Sequence, residues 1–377
     1  MDIARLPFDA DAMLAGLRPW IECESPTYDA AAVGRMMDLA ARDLVDLGAA
    51  PERIPGRLGF GDCLRARIGS PDGRGILVLG HMDTVHPVGT LADLPFRREG
   101  ARAYGPGICD MKGGNYLALE ALRQLKAAGI PTKLPVTILF TSDEEVGSPA
   151  TRDLIEAEAA KAALVLVPEP GGIGGETTSG RYAIARFEIE TIGRPSHAGA
   201  RLSEGRSAIR EMARRILEIE AMTSEDCTFS VGVVEAGRWV NCVASRARGE
   251  VLSMAKRQAD LDDGVARMLA LSDATGEVAF HVRRGVTRPV WEPSAATLAL
   301  FERARALAAS IGVTLTHRSA GGGSDGNFTG AMGIPTLDGL GVEGDKFHTL
   351  EEHILVDTLA SRGRIMAGLL ATCDASG

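Results

Sequence analysis

Paired cysteines are absent. The six cysteines, Cys23, Cys63, Cys109, Cys227, Cys242 and Cys373, form no CxxC pair and keep no regular spacing, which argues against a thiolate zinc site and against a disulfide framework. A basic excess is missing too. The formal charge is −9, with lysine and arginine scattered, so the footprint that drives nucleic-acid binding is not there. No uninterrupted apolar run approaches the ~18–20 residues of a membrane span, and the opening segment Met1 to Asp9 lacks the basic start and apolar core of a signal peptide. The expected setting is reducing and cytoplasmic, with neither a membrane nor a nucleic acid as partner. Histidine is scarce, with seven in 377 residues, so any imidazole chemistry draws on a short roll.

Glycine is in excess: 45 of 377 residues, about 12% against an average near ~7%, clustered beside acidic residues and histidines. The length exceeds the ~250–300 residues at which a single core stops growing, so two domains are expected. Residues 9–48 read as helical, with Val33, Met36, Met37, Ala40 and Leu44 at helical spacing and Gly48 as a stop signal. Strands and helices then alternate: strands at 76–79, 136–140 and 163–167, and a helix at 115–128. That order favours an α/β layer with a mostly parallel sheet. The chemically interesting residues follow the strands, His81 after the first, Asp143-Glu144-Glu145 after the second and Glu169 after the third, where open α/β sheets bind ligands.

Between residues 178 and 287 the texture changes to two rounds of strand, helix and strand. This predicts an inserted α+β domain of two βαβ-like halves with an antiparallel sheet. The first-domain pattern then resumes, so the catalytic domain is expected to be discontinuous, over 1–177 and 288–377.

Five segments put metal-competent side chains at strand ends or glycine loops: Gly80-His81-Met82-Asp83, Tyr104 to Gly114 with Asp110, Thr141 to Ser148 with Glu144 and Glu145, Val167-Pro168-Glu169-Pro170, and Lys346-Phe347-His348-Thr349. Each alone has an ordinary reading as a loop histidine, a solvated acidic turn or a helix start. Together they form a near-complete ligand set for two divalent ions. A dinucleotide site fails its context test, because Gly171-Gly172-Ile173-Gly174-Gly175 is followed by strand-like alternation and not by a helix.

These segments resemble the dinuclear zinc hydrolase family that contains glutamate carboxypeptidase, aminoacylase, acetylornithine deacetylase and succinyl-diaminopimelate desuccinylase, with glutamate carboxypeptidase as the nearest branch. The likeness covers essentially the whole chain, including Ser196-His197-Ala198-Gly199 in the insert. It implies a cofactor of two zinc ions, replaceable by cobalt or manganese. His81 and Glu169 would hold one ion, Glu145 and His348 the other, and Asp110 would bridge them, followed by a cis peptide to Met111. Glu144 would be the general base, and Asp83 would accept the second imidazole N–H of His81 and fix its tautomer. His197 would stabilise the oxyanion of the partner subunit's site, across a homodimer formed by the inserted lid domain through its helix at 207–222 or an edge strand.

The substrate implied is a small molecule with a free carboxylate. Arg288 and Asn241 would bind that group, helped by backbone N–H groups of Gly322, Gly323 and Ser324. After Asn241 relatives carry an apolar residue and a proline, whereas this chain has Cys242, Val243 and Ala244. The implied activity is hydrolysis of an amide or peptide bond releasing an amino acid. Biosynthetic N-acyl deacylation is the alternative, and a metal-dead binding scaffold a distant one.

Overall fold

The computed structural model describes residues 1–70 and 73–374. They form two compact units: Met1–Gly180, Glu292–Ala320 and Ser324–Gly377 make the first, and Arg181–Trp291 with Gly321–Gly323 the second.

The first unit is built on a six-stranded sheet with spatial order Glu52–Ile54, Cys63–Ile68, Val136–Thr141, Gly75–His81, Ala162–Leu166, Thr336–Leu337. The strand ending at His81 runs parallel to both its neighbours, and Thr336–Leu337 runs parallel to Ala162–Leu166. Only Cys63–Ile68 runs against the rest. Helices cover both faces, which explains the continuous apolar run at the centre. Ile76 and Val78 face a large core shared with helices Ala10–Glu22, Ala30–Asp46, Gly113–Ala127 and Leu359–Thr372. Leu77 and Leu79 point the other way, to Ile155, Ala159 and Phe328.

The region 9–48 contains two helices and not one. Ser25-Pro26 separates Ala10–Glu22 from Ala30–Asp46, because proline clashes with the preceding helical turn. Asp9 and Asp29 cap the two starts, each accepting a backbone N–H. Trp20 ties the pair together, its indole N–H donating to Asp43 Oδ2 at 2.7 Å while its ring meets Tyr116 edge-on at 5.5 Å. A smaller sheet pairs Arg102–Tyr104 with His353–Leu355, and His353 lies opposite Tyr104.

The second unit is a four-stranded antiparallel sheet, ordered Cys227–Ala236, Arg246–Ala255, Ala183–Ile192, Ala279–Arg288. The chain order is βαββαβ, with helices Ala208–Glu220 and Gln258–Ala270. Along Ala183–Ile192 every second side chain is buried, so Phe187 and Ile189 meet Met212, Ile219, Val251, Met268 and Phe280 in one core. The unit's two chain ends are paired: Arg181 N–H donates to Trp291 O at 2.9 Å, and Trp291 N–H to Arg181 O at 3.0 Å. Among the described residues no helix is long and apolar enough to cross a membrane.

Candidate metal centre

The parallel strands deliver their last residues to one end of the sheet. His81 closes its strand with a buried imidazole. Its Nδ1 lies 2.9 Å from the backbone carbonyl of Asp83 and 3.4 Å from that residue's Oδ1. The main-chain carbonyl is the nearer of the two acceptors, and the carboxylate stands close behind it. The Asp83 carboxylate serves the neighbouring turn. It accepts the Thr27 hydroxyl at 2.7 Å and the backbone N–H groups of Glu144 and Glu145 at 3.3 Å each.

Asp110 sits where the Gly107 turn meets helix Gly113–Ala127, and the Asp110-Met111 peptide is cis. Its two oxygens point to two imidazoles: Oδ1 is 3.2 Å from His81 Nε2, and Oδ2 is 3.2 Å from His348 Nε2. Glu169 Oε1 lies 3.7 Å from His81 Nε2, and Glu145 Oε2 lies 3.2 Å from His348 Nε2. Glu169 is held in place by a close backbone approach: a Cβ on Gly114 would sit 1.8 Å from the Pro168 carbonyl oxygen.

The electrostatics are those of crowded acids competing for positive charge. Burial and the charge of Asp110 push the Glu145 carboxyl up to about 8, and the same two causes raise Glu169 well above the carboxylate range. Burial would raise Asp110 as well, but hydrogen bonds from His348 and His81 prevail and hold it low. Hydrogen bonds to Asp110 and Glu145 lift His348 to about 10. Burial works to lower the His81 pKa, yet Asp110, Asp83, Glu169 and Glu144 together keep it well above the usual range.

Two groups of ligand atoms, His81 with Asp110 and Glu169, and Asp110 with Glu145 and His348, lie within 4.8 Å of one another and could each hold a cation. The donor set fits a divalent ion: imidazole and carboxylate only, with Glu145 Oε1 buried and without a hydrogen-bond partner. Glu144 belongs to neither group. It opens the short turn Glu144–Val146 with its Oε2 3.9 Å from His81 Nε2.

Ser324, expected at the substrate, is committed elsewhere. It is fully buried, its hydroxyl donates to Asp338 Oδ2 at 2.6 Å, and its N–H donates to Asn327 Oδ1 at 3.0 Å.

The other expected substrate residues and His197 lie in the second unit. His197 is exposed, and its Nδ1 accepts the N–H groups of Gly199 and Ala200 at 3.2 and 3.1 Å. With Nδ1 an acceptor, the ring proton is on Nε2. Asn241 is exposed and its carbonyl accepts Ala198 N–H. Arg288 ends its strand and is buried, and Arg181 Nη1 donates to the Gly322 carbonyl at 2.8 Å. A Cβ on Gly323 would lie 2.7 Å from Arg288 Cδ.

Several supporting residues, Asp143 apart, were given no part by the sequence. Asn115 Nδ2 donates to the His81 carbonyl at 2.7 Å, and Asp143 accepts Ala150 N–H and the Thr151 hydroxyl. Buried Lys112 donates to the Cys23 carbonyl at 2.8 Å, and burial lowers its pKa to about 8. Glu352 and His86 meet at 2.6 Å. Of these, Asp143 alone carried a signal, its place beside Glu144.

Peptidase family M20/M25/M40 matches residues 77–372. The chain is also 32% identical over 372 residues to carboxypeptidase G2 of Pseudomonas sp. (strain RS-16), covering 95% of this chain and 88% of that protein. The chain belongs to the M20 peptidase family. Its members are metal-dependent, and this M20 protein is a metallohydrolase acting as a peptidase or amidohydrolase. Acetylornithine deacetylase of Myxococcus xanthus is 32% identical over 198 residues, 48% of this chain and 50% of that enzyme. In fold, an M20 family metallo-carboxypeptidase from Sulfolobus solfataricus superposes with a TM-score of 0.73 at 16% identity, covering 95% of this chain and 98% of that one.

Proposed function

We propose that this M20 hydrolase uses two zinc ions to cleave an amide or peptide bond and release an amino acid with a free α-carboxylate. The observation that carries the reading is Asp110, shared between two imidazole–carboxylate groups with Glu144 beside them. His81 and Glu169 would hold one ion, Glu145 and His348 the other, with Asp110 common to both. Bound there, the ions would lower the pKa of a water and polarise the scissile carbonyl.

The chain's own residues do the rest. Glu144 takes the proton from the attacking water and returns it to the leaving nitrogen, a role that needs a carboxylate close to the ions but not spent on them. Negative charge develops on the carbonyl oxygen, and His197, acting across the homodimer on the partner subunit's site, would be the donor for it through its Nε2–H. Arg288 and Asn241 recognise the free carboxylate, since a guanidinium fork matches that group bidentately. We place the homodimer contact on the second unit.

Similarity to carboxypeptidase G2 over nearly the whole chain favours release of an amino acid from a peptide or acyl conjugate. The half-length match to acetylornithine deacetylase supports N-acyl deacylation as the second reading. A panel of N-acyl amino acids and dipeptides, each with a free or blocked carboxylate, tests this on protein of measured metal content. Hydrolysis of the free-carboxylate members is expected, lost on chelation and restored by zinc or cobalt. Equal turnover of blocked substrates would overturn the carboxylate assignment.

A further inference from the structure

Glu352 is a buried carboxylate to which the hydrolytic reading gives no task. It is 1% exposed, although the seven residues before it, 345 to 351, are all exposed and carry His348. Strand pairing places it: His353 lies opposite Tyr104, so residue 352 faces the turn that starts at Gly105 and ends at Asp110. That turn aims its backbone N–H groups at the carboxylate. Oε1 accepts from Cys109 at 2.8 Å and from Asp110 itself at 3.1 Å, and Oε2 accepts from Gly107 at 2.9 Å. The fourth donor is His86 Nε2, 2.6 Å from Oε2 and five residues beyond His81.

A carboxylate has about four acceptor sites, so Glu352 is saturated. Standing at the end of the His348 loop, it joins that loop to two others: the stretch after the His81 strand, through His86, and the Asp110 turn, through Gly107, Cys109 and Asp110. Each of these segments carries one candidate ligand.

We infer that Glu352 is a positioning residue: its carboxylate sets the backbone of the Asp110 turn and anchors the exposed His348 loop to it, so that cation affinity at both groups depends on it. The inference rests on the reading that these groups hold divalent ions. Glu352 touches only the backbone of Asp110 and acts through it. The negative charge is required because every partner is a donor. In a glutamine of the same shape the NH2 would face either Cys109 and Asp110 N–H or Gly107 N–H and His86, so neither amide orientation restores the set.

The test is cobalt binding to the metal-free full chain, by chelator competition and by the visible spectrum of the bound ion, for wild type, Glu352→Gln and His86→Phe. Far-UV circular dichroism reports folding. For E352Q we expect a folded chain whose cobalt affinity falls about 10–100-fold, the usual scale for partners behind the ligands, with an altered spectrum. For H86F, which removes one of the four donors, a loss on the order of three- to tenfold is expected. A folded E352Q with wild-type affinity and spectrum overturns the inference and leaves the metal reading intact. Should E352Q not fold, H86F decides, and unchanged affinity there overturns it. A wild-type chain that takes up no cobalt sinks the metal reading itself.

Discussion

Gly114→Ala adds a single methyl group where helix Gly113–Ala127 leans on the segment that carries Glu169. That methyl would lie 1.8 Å from the Pro168 carbonyl oxygen, 2.9 Å from its carbon and 3.2 Å from the Cα of Gly341, whereas real Cβ contacts essentially never fall below 3.0 Å. All three neighbours are backbone and cannot rotate away. The two backbone segments must part by more than an ångström, and the displacement falls one residue from the candidate ligand Glu169. Alanine's better helix propensity favours the variant by ~0.5–1 kcal/mol, but overpacking costs about 1–3 kcal/mol or more, so the net effect is destabilising by roughly 1–2 kcal/mol. A misplacement of about 1 Å costs on the order of 10²-fold in turnover. Urea unfolding, kcat and metal content measured on one preparation check both effects. Gly34→Ala is the control: it lies in helix Ala30–Asp46 with nothing within 4 Å of the added methyl, and is expected to gain ~0.5–1 kcal/mol. A G114A protein with wild-type unfolding midpoint, turnover and metal content would refute the argument that this approach fixes Glu169.

Glu144→Gln is expected to keep its metal content while kcat falls about 10²–10⁴-fold, as for loss of a general base; undiminished turnover would remove Glu144 from that role. His197→Ala is expected to lower kcat on the order of 10²–10³-fold with a smaller change in KM, and a pure KM effect would make it a substrate contact. Thiol titration at pH 8 should modify exposed Cys242 first. Burial pushes Cys63 up to about 12 and Cys373 to about 11, leaving ~10⁻³ or less of either as thiolate at that pH, so both should react only on unfolding.

Three of the candidate ligands, His81, Glu145 and Glu169, were legible because each follows an apolar run that a doubly covered sheet explains, whereas Asp110 follows a glycine turn and His348 sits in an exposed loop, so both needed the surrounding motif. Strand Cys63–Ile68 was legible in principle, since Leu64 and Ala66 alternate with Arg65 and Arg67, but a single antiparallel strand hides among the parallel ones. The break at Pro26 was overlooked because apolar spacing continues on both sides of it. The role of Glu352 lay beyond sequence reasoning: it follows Glu351, an exposed acid of the same kind, and only the register of His353 against Tyr104 decides which of the two is buried.

The paired ends of the second unit bear on the order of folding. Its roughly 110 residues interrupt the first unit, and closing a flexible loop of that length costs about 4 kcal/mol in chain entropy. Arg181 and Trp291 already exchange two backbone hydrogen bonds, so an insert that folds first offers its host two adjacent chain ends. The host then closes around a junction the size of a hairpin, and the length of the insert drops out of the cost of assembling the candidate metal centre.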